Sequence, residues 1–258
     1  MKRIFKSLQR VPFSTSVCED EIERKFRLTP GIRQHLSRLV VSRKLVTEFT
    51  DRYFDTSTFS LTRNDCWLRR RDESWELKSP QSAKLNSTND KQALIGIDFY
   101  RESRDWGSIA TIAEKIAGVQ LTFPFPSHSD ETEAWLLEHR VLLFANVRTL
   151  RERNTLVLSR GHKVRLDLDT VIFFETVNTT GETPTVLSTY EIGEVELVSA
   201  GENMSPPDAL KDAFGQLGIG TETVHGKLLE FLSRHRPLHH EALRNSGLLE
   251  AKLGPGKG

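Results

Sequence analysis

Apolar and polar residues alternate along much of the chain, as they do in strands with one buried face. The segments that favour strands are 21–28, 48–54, 66–71, 74–78, 96–102, 142–148, 154–159, 163–169, 171–177 and 190–198. Helical spacing is rarer. It predicts one helix that begins at Pro30, with Thr29 as its N-cap, and others at 108–117, 130–139, 206–217 and 223–233. The pattern therefore predicts a β-rich domain with several helices.

Charged residues occupy one face of many of these strands. Residues two apart on a strand share a face, so Glu21, Glu23 and Lys25 lie opposite Ile22 and Phe26. The same spacing relates Trp67, Arg69 and Arg71; Glu76 and Lys78; Arg151 and Arg153; Arg165, Asp167 and Asp169; and Glu194 and Glu196. A solvated face would explain any one such strand. Six together favour a closed sheet whose charged faces point inward, since outer helices would pack on the apolar faces.

An interior of this kind has a chemical use. Buried charges are costly unless they are paired or bound to ions, so the predicted interior is a hydrated tunnel with both signs of charge. Arginine and lysine are the natural ligands for the oxygens of a triphosphate. Carboxylates beside it would repel the triphosphate unless a divalent cation lay between, and Mg²⁺ is the usual partner of phosphates. The sequence thus indicates a metal-dependent phosphoryl-transfer site.

Length and charge narrow the class of protein. The 258 residues are enough for one large domain, and 36 basic against 35 acidic residues leave a net charge of +1. We therefore expect no nucleic-acid partner and no attraction to a membrane surface. Two cysteines are too few for a disulfide framework, and no apolar run approaches the ~20 residues of a membrane span. These features indicate an intracellular protein.

The two ends of the chain differ from its centre. Residues 1–18 contain four basic residues and no acid, a composition that suits a mitochondrial targeting segment, with a basic tail on a cytoplasmic protein as the alternative. Residues 19–237 are expected to form the tunnel domain. Residues 238–258, ending in AKLGPGKG, are expected to be a disordered tail.

Several motifs resemble a known family. EIERK at 21–25 matches an ExExK signature, and DRYFDT, CWLRRRDESWELK, FYRES, VRLDLDT, IGEVELV and KLLEFLSRHRP follow in order at compatible spacing. Over about residues 20–237 the chain resembles the CYTH superfamily of triphosphate tunnel metalloenzymes, and within it animal-type thiamine triphosphatase. The resemblance implies an α+β fold, with an eight-stranded antiparallel β-barrel and helices packed on its outside. It also implies Mg²⁺-dependent hydrolysis of thiamine triphosphate.

The resemblance also implies roles for individual residues. Lys78 and Tyr53 match the catalytic pair, and Trp67 matches an indole that stacks on the thiamine ring. The residues that match the rest of the substrate site are Lys25, Arg69, Arg71, Arg151 and Lys227. Those that match the metal-holding acids are Glu21, Glu23, Glu102, Asp167, Glu194 and Glu196. Alternation along the strands is the only reason to place Arg153, Arg165 and Asp169 inside the barrel, where we expect them to form salt bridges. The same alternation places Arg24 and Arg70 outside.

Other functions use the same residues. An inorganic tripolyphosphatase or a nucleoside or RNA 5′-triphosphatase would need the same phosphate grip without the organic group. A non-catalytic triphosphate-binding protein would also fit the tunnel, although it would have no need of Lys78 and Tyr53. Long loops after Lys78 and Asp169 depart from the family pattern and could change substrate choice. We expect a monomer, because the tunnel closes within one chain.

Overall fold

The structure, a computed structural model, describes residues 18–39, 45–81, 96–121, 129–176, 184–199, 205–220 and 222–254. Its strands are β1 Cys18–Arg27, β2 Leu45–Thr56, β3 Trp67–Arg71, β4 Ser74–Pro80, β5 Ile97–Ser103, β6 Val141–Val157, β7 Lys163–Phe174 and β8 Val186–Ser199. Its helices are α1 Pro30–Leu39, α2 Trp106–Ala117, α3 Ser129–Glu138, α4 Pro206–Gln216, α5 Lys227–His235, α6 Pro237–Asn245 and α7 Leu248–Leu253.

The eight strands close into one antiparallel barrel in the order β1, β5, β4, β3, β2, β6, β7, β8 and back to β1. The predicted fold class is therefore confirmed. The predicted segments 142–148 and 154–159 belong to one strand, and so do 163–169 and 171–177, because β6 and β7 pair without interruption from Asn146 with Phe174 to Val157 with Lys163. Each of these two strands unites two of the predicted segments.

The helices begin and end where local signals place them. Thr29 accepts a hydrogen bond from the Ile32 amide at 3.2 Å, and Asp105 accepts one from the Ser108 amide at 2.9 Å. Helix α2 ends at Gly118, whose φ of 66° is left-handed. Helix α5 begins at Lys227, four residues later than the predicted segment 223–233.

Helices cover the apolar outer faces of the strands. Helices α1 and α4 pack on β1, β7 and β8 through a cluster that includes Phe26, Leu36, Val195 and Phe214. Helices α2 and α3 pack on β3 and β4 through a second cluster that includes Leu68, Leu77, Ile109 and Leu136. Because these faces are filled outside, the alternate residues of the same strands must point inward.

A close approach at Gly193 holds β1 and β8 together. Gly193 lies opposite Phe26 in the strand pair, and a Cβ atom added there would lie 1.9 Å from Cζ of the Phe26 ring. The ring also packs edge to face on Phe214 of α4, with centroids 6.1 Å apart. Glycine is thus required at this position by space rather than by backbone conformation.

The prediction of a disordered tail is wrong for residues 238–254. Helices α6 and α7 occupy this segment, and Leu243, Leu248 and Leu249 are buried in a third cluster with Leu228 and Phe231 of α5. That cluster also contains Tyr53, Trp67 and Tyr100, so α5 to α7 cover one end of the barrel. The three glycines and one proline after Leu253 suggested disorder, whereas the apolar residues before them form helices that pack on the barrel.

Some expectations lie outside the described residues. These are the basic segment up to residue 17, most of the long loop after Lys78, and the segment 177–183 of the loop after Asp169. Within the part of the chain that the structure describes, no helix is long and apolar enough to cross a membrane.

Candidate active site

The interior of the barrel is a cavity of about 220 Å³ lined mainly by charged side chains. Every residue predicted for the site except Asp167 lies on its wall: Glu21, Glu23, Lys25, Tyr53, Trp67, Arg69, Arg71, Lys78, Glu102, Arg151, Glu194, Glu196 and Lys227. The inward and outward parity predicted for β1 is also observed, since Phe26 packs outside. The alternation in the sequence therefore agrees with the inward direction of these strand side chains, and their roles stay predictions.

Arg69 of β3 is held by three carboxylates. Its guanidinium lies 2.6 Å from Glu76, 3.0 Å from Glu102 and 3.9 Å from Asp51. Asp51 in turn binds Arg71 through two hydrogen bonds of 2.7 and 2.9 Å. Burial acts to raise the pKa of Asp51, but the Arg71 and Arg69 charges lower it to about 2. These ion pairs fix both guanidinium groups on the wall, so that they need little reorganisation to bind an anion.

Arg151 of β6, which only β2 separates from β3, has a similar arrangement. It lies 2.7 Å from Asp167, 2.6 Å from Asp169 and 2.8 Å from Glu194. Asp169 also accepts a hydrogen bond of 2.8 Å from Nζ of Lys227, the first residue of α5. Buried Asp169 thus ties α5 to the barrel and keeps two cations side by side.

Asp167 is the one predicted site residue that the structure does not place on the cavity wall. Its carboxylate is 3% exposed and lies behind Arg151 and Arg153, both of which bind it. Arg153 and Arg165 form the expected salt bridges, to Asp167 and Glu196 respectively. Arg24 and Arg70 point outward as predicted: Arg24 lies over Phe214 of α4, and Arg70 binds Asp130 and Glu133 of α3.

Four glutamates of β1 and β8 line the cavity. Glu23 lies directly opposite Glu196 in the strand pair. Burial, together with the charge of Glu21, raises the pKa of Glu196 to about 7. Burial acts to raise the pKa of Glu194 as well, but Lys227 and Arg151 hold it well below its usual range. Crowding of carboxylates is therefore greatest around Glu21, Glu23 and Glu196.

Lys78 of β4 and Tyr53 of β2 lie on the two strands that flank β3. Nζ of Lys78 donates a hydrogen bond to Glu21 and lies 5.8 Å from the centre of the Tyr100 ring. Burial acts to lower the pKa of Lys78, but Glu21 and Glu23 raise it above its ordinary value, so Lys78 is an ammonium ion at neutral pH. Tyr53 lies next to Arg69 across the β2 and β3 pair, at a bulge between β2 and β6. Bulges of this kind commonly re-aim a side chain at a site.

Trp67 belongs to a polar cluster at the end of the cavity. Its indole Nε1 donates to Asp65 at 2.8 Å and to the Tyr100 hydroxyl at 3.1 Å. The Tyr100 hydroxyl also donates to Asp65 at 2.7 Å. Asp65 has a left-handed φ of 57°, a conformation that aspartate tolerates better than most residues. Trp67 is 8% exposed, and the part that it exposes contributes to the cavity wall.

Several wall residues were not predicted. Asp98 and Tyr100 share a face with Glu102 in the predicted strand 96–102, so their parity alone could have identified them. Lys252 reaches the cavity from α7, and no sequence signal pointed to it because its segment was predicted to be disordered. The buried acids Asp51 and Glu76 were likewise missed as partners of Arg69 and Arg71.

The balance of charge fits a site that takes up cations with its anionic ligand. Ten basic and seven acidic side chains line the cavity. Four buried carboxylates, those of Asp51, Glu76, Asp167 and Asp169, lie behind them, so the numbers of acidic and basic groups almost balance. A polyanion that entered without cations would leave the cavity with an excess of negative charge. Among the described residues, no three His, Cys, Asp or Glu side chains are arranged to hold a metal ion. Mg²⁺ needs no such cage, since it takes one or two carboxylates and fills its other positions with water and phosphate oxygens.

Comparison with known proteins gives a consistent result. A family described as the CYTH domain matches residues 19–225. The human protein named thiamine-triphosphatase is 29% identical over 234 residues, which cover 86% of this chain and 88% of the human protein. The thiamine-triphosphatase of Macaca fascicularis is 28% identical over 242 residues, with the same coverage of 86% and 88%.

Solved structures also align with most of the chain. A putative adenylate cyclase from Bacillus halodurans aligns with 85% of this chain and 99% of its own, at 16% identity and a TM-score of 0.45. A putative adenylyl cyclase from Hippeastrum, described as having a dominant triphosphatase activity, aligns with 83% of this chain and 96% of its own, at 17% identity and a TM-score of 0.45.

Proposed function

The chain belongs to the CYTH domain family, and from this premise we propose that it is a hydrolase of triphosphates whose substrate is thiamine triphosphate. The observation that carries the proposal is that cations and carboxylates lie side by side on the tunnel wall. Guanidinium groups held by buried acids adjoin the glutamates of β1 and β8, which pair with Lys25, Lys78 and Arg151. The thiamine part of the proposal is supported by the named relatives and by Trp67 at the end of the cavity.

The basic residues would bind the triphosphate. Arg69, Arg71 and Arg151 each present a planar guanidinium whose remaining N–H groups suit phosphate oxygens, and Lys227 adds a charge beside Arg151. The proposed reaction is a displacement at the terminal phosphorus of the triphosphate. The oxygen of a water forms a bond to that phosphorus while the bond to the bridging oxygen breaks. The products are thiamine diphosphate and inorganic phosphate, and the proton lost by the water is released with them.

Lys78 is suited to stabilise the leaving oxygen. Charge develops on the bridging oxygen as the bond breaks, and an ammonium group already fixed by Glu21 can donate a hydrogen bond there. Its raised pKa makes it a donor and rules it out as a base at neutral pH. Tyr53, next to Arg69, can offer its hydroxyl as a second donor.

A divalent cation, which we propose to be Mg²⁺, would take one or two carboxylates from among Glu21, Glu23 and Glu196, where the carboxylates crowd one another. Glu194 and Glu102 would adjoin it, and Asp167 would act only through Arg151. When bound, such an ion would neutralise charge on the phosphoryl oxygens and lower the pKa of a bound water. We also propose that the chain acts as a monomer, because its barrel closes within one chain.

Inorganic tripolyphosphate is the second candidate substrate. The residues that would bind phosphate make no use of the organic group, and Trp67 already donates its N–H within the protein. A nucleoside or RNA 5′-triphosphatase would use the same phosphate-binding residues. A non-catalytic protein would bind the triphosphate through them without turnover.

The test is release of phosphate from four substrates by the purified chain: thiamine triphosphate, tripolyphosphate, ATP and an RNA 5′-triphosphate. Each is assayed with Mg²⁺, with EDTA, and with Mg²⁺ restored after EDTA. We expect turnover of thiamine triphosphate that EDTA abolishes and Mg²⁺ restores. Activity that persists in EDTA would contradict the metal requirement. Binding without any turnover would show a triphosphate-binding protein. Size-exclusion chromatography with light scattering tests the monomer.

A further inference from the structure

The last described helix places a lysine inside the end of the tunnel. Nζ of Lys252 lies 2.9 Å from Asp98, 3.2 Å from Asp65 and 2.5 Å from the Tyr100 hydroxyl. It also lies 4.7 Å from the centre of the Tyr100 ring. Two carboxylates beside an aromatic face form the kind of environment that proteins use to bind organic cations. Here the cation that fills it belongs to the chain itself.

This lysine adjoins the residue that we expect to contact the organic group. Asp65 accepts hydrogen bonds from both Lys252 and Trp67, and the Tyr100 hydroxyl accepts from both as well. Lys252, Trp67, Asp98 and Tyr100 all line the same cavity. A ligand that stacks on Trp67 therefore lies close to the ammonium group of Lys252.

The charge of Lys252 opposes a cationic ligand at this end. Burial acts to lower its pKa, but Asp98 and Asp65 raise it, so the side chain is charged at neutral pH. While it lies between them, the two carboxylates are neutralised and have little attraction left for a positively charged ring. A purely anionic ligand gains an additional cation from the same residue.

We propose that Lys252 is a specificity-determining residue, which occupies a site for an organic cation formed by Asp65, Asp98 and the ring of Tyr100. By doing so it weakens binding of the positively charged thiazolium of thiamine relative to binding of an uncharged or inorganic chain end. This inference rests on the proposed function for its substrate. Binding of free thiamine nevertheless tests it without any catalysis.

Variants that remove the charge should fold. In Lys252→Met, Asp98 keeps Lys25 at 2.5 Å, and Asp65 keeps the hydrogen bonds from Trp67 and Tyr100. The contacts of buried Leu249 and Leu253 are unchanged, so α7 stays anchored. Lys252→Gln keeps a polar end without the charge and is the second variant in case methionine destabilises the chain. Lys252→Arg keeps the charge, and Lys211→Met removes an exposed lysine of α4 as the matched control.

The first measurement is the affinity of the whole chain for free thiamine by isothermal titration calorimetry. We expect about tenfold tighter binding to the Met and Gln variants than to the unchanged chain, since a cation and an aromatic face contribute about 1 to 2 kcal/mol when desolvated. The Arg variant and Lys211→Met should match the unchanged chain. Equal or weaker binding of thiamine by the Met and Gln variants would overturn the proposal.

The second measurement compares Michaelis constants for thiamine triphosphate and tripolyphosphate. The Met and Gln variants should show KM about tenfold lower for thiamine triphosphate, with KM for tripolyphosphate unchanged or higher and kcat little affected. Equal changes in both constants would show that Lys252 is merely structural. If the unchanged chain hydrolyses neither substrate, the proposed function fails, and the calorimetric comparison still decides the role of Lys252.

Discussion

Replacing Lys78 with methionine tests the chemistry that we assign to the tunnel. Methionine keeps most of the length and apolar volume of the lysine stem and removes the ammonium group. That group is buried on the cavity wall, hydrogen-bonded to Glu21 and charged at neutral pH. If it stabilises charge on the leaving oxygen, its loss must appear in kcat.

The expected size of the effect follows from the geometry. A single fixed donor aimed at a developing oxyanion contributes about 10²-fold to 10³-fold in kcat, or about 3 to 4 kcal/mol. The same change removes an ion pair from Glu21, whose side chain is 18% exposed and still lies in the field of Arg69. The expected loss in free energy of unfolding is therefore only about 2 kcal/mol. The catalytic loss should exceed the structural one.

The assay is steady-state phosphate release from thiamine triphosphate and from tripolyphosphate, with unfolding in urea measured on the same preparations. Lys163→Met, at the exposed start of β7, is the matched control and should retain full activity. We expect kcat of Lys78→Met to fall about 100-fold or more with both substrates. If kcat fell less than about threefold while the chain stayed folded, Lys78 would serve only to position Glu21, and the reasoning would be refuted.

Three further predictions concern recognition, packing and pH. Trp67→Ala should raise KM for thiamine triphosphate about tenfold and spare tripolyphosphate; equal effects on both substrates in a kinetic comparison would assign Trp67 to the core alone. Gly193→Ala should lower the free energy of unfolding by about 1 to 3 kcal/mol, because its Cβ would overlap the Phe26 ring. Phe26→Leu in the same chain should recover part of the loss. Equal urea midpoints for Gly193→Ala and the unchanged chain would contradict this. Burial lowers the pKa of His239 to about 4 despite Asp55 at 4.0 Å, so its contribution to stability is present above about pH 6.5 and is lost as the pH falls towards 4. Unfolding free energies at pH 7.5 and 5 should therefore differ by about 2 kcal/mol more in the unchanged chain than in His239→Gln, and equal differences would exclude His239 as the source.

The barrel could be predicted because its strands carry two opposed patterns at once. Alternation in β1 separates Glu21, Glu23 and Lys25 from Phe26, and covering the apolar face with helices leaves only the interior for the charges. The exact extent of the long strands could not be predicted in the same way. Arg151 and Arg153 share a strand face in the sequence, but the local pattern does not show that one strand runs through them. Their charges are compensated by Asp167 and Asp169 from the neighbouring strand, which pairs with β6 throughout.

Two of the helices that cover one end of the barrel, α6 and α7, could not be predicted from the sequence. Residues 238–254 have histidines, glycines and few long apolar runs, and their helices are short. Their stability comes from contacts with α5 and with interior-facing rings of the barrel, which a local pattern does not record. Lys252 was missed for this reason. Asp98 and Tyr100 could have been predicted, because their strand was identified and alternation along it places them on the same face as Glu102.

The measurement that tests the central claim most directly is the ratio of kcat/KM for thiamine triphosphate to that for tripolyphosphate, with Mg²⁺ present and the chain unchanged. We predict clear turnover of thiamine triphosphate and a ratio above one, since the contacts of Trp67 with the organic end outweigh the opposing charge of Lys252. A ratio of one or below would contradict thiamine triphosphate as the substrate and favour the tripolyphosphatase.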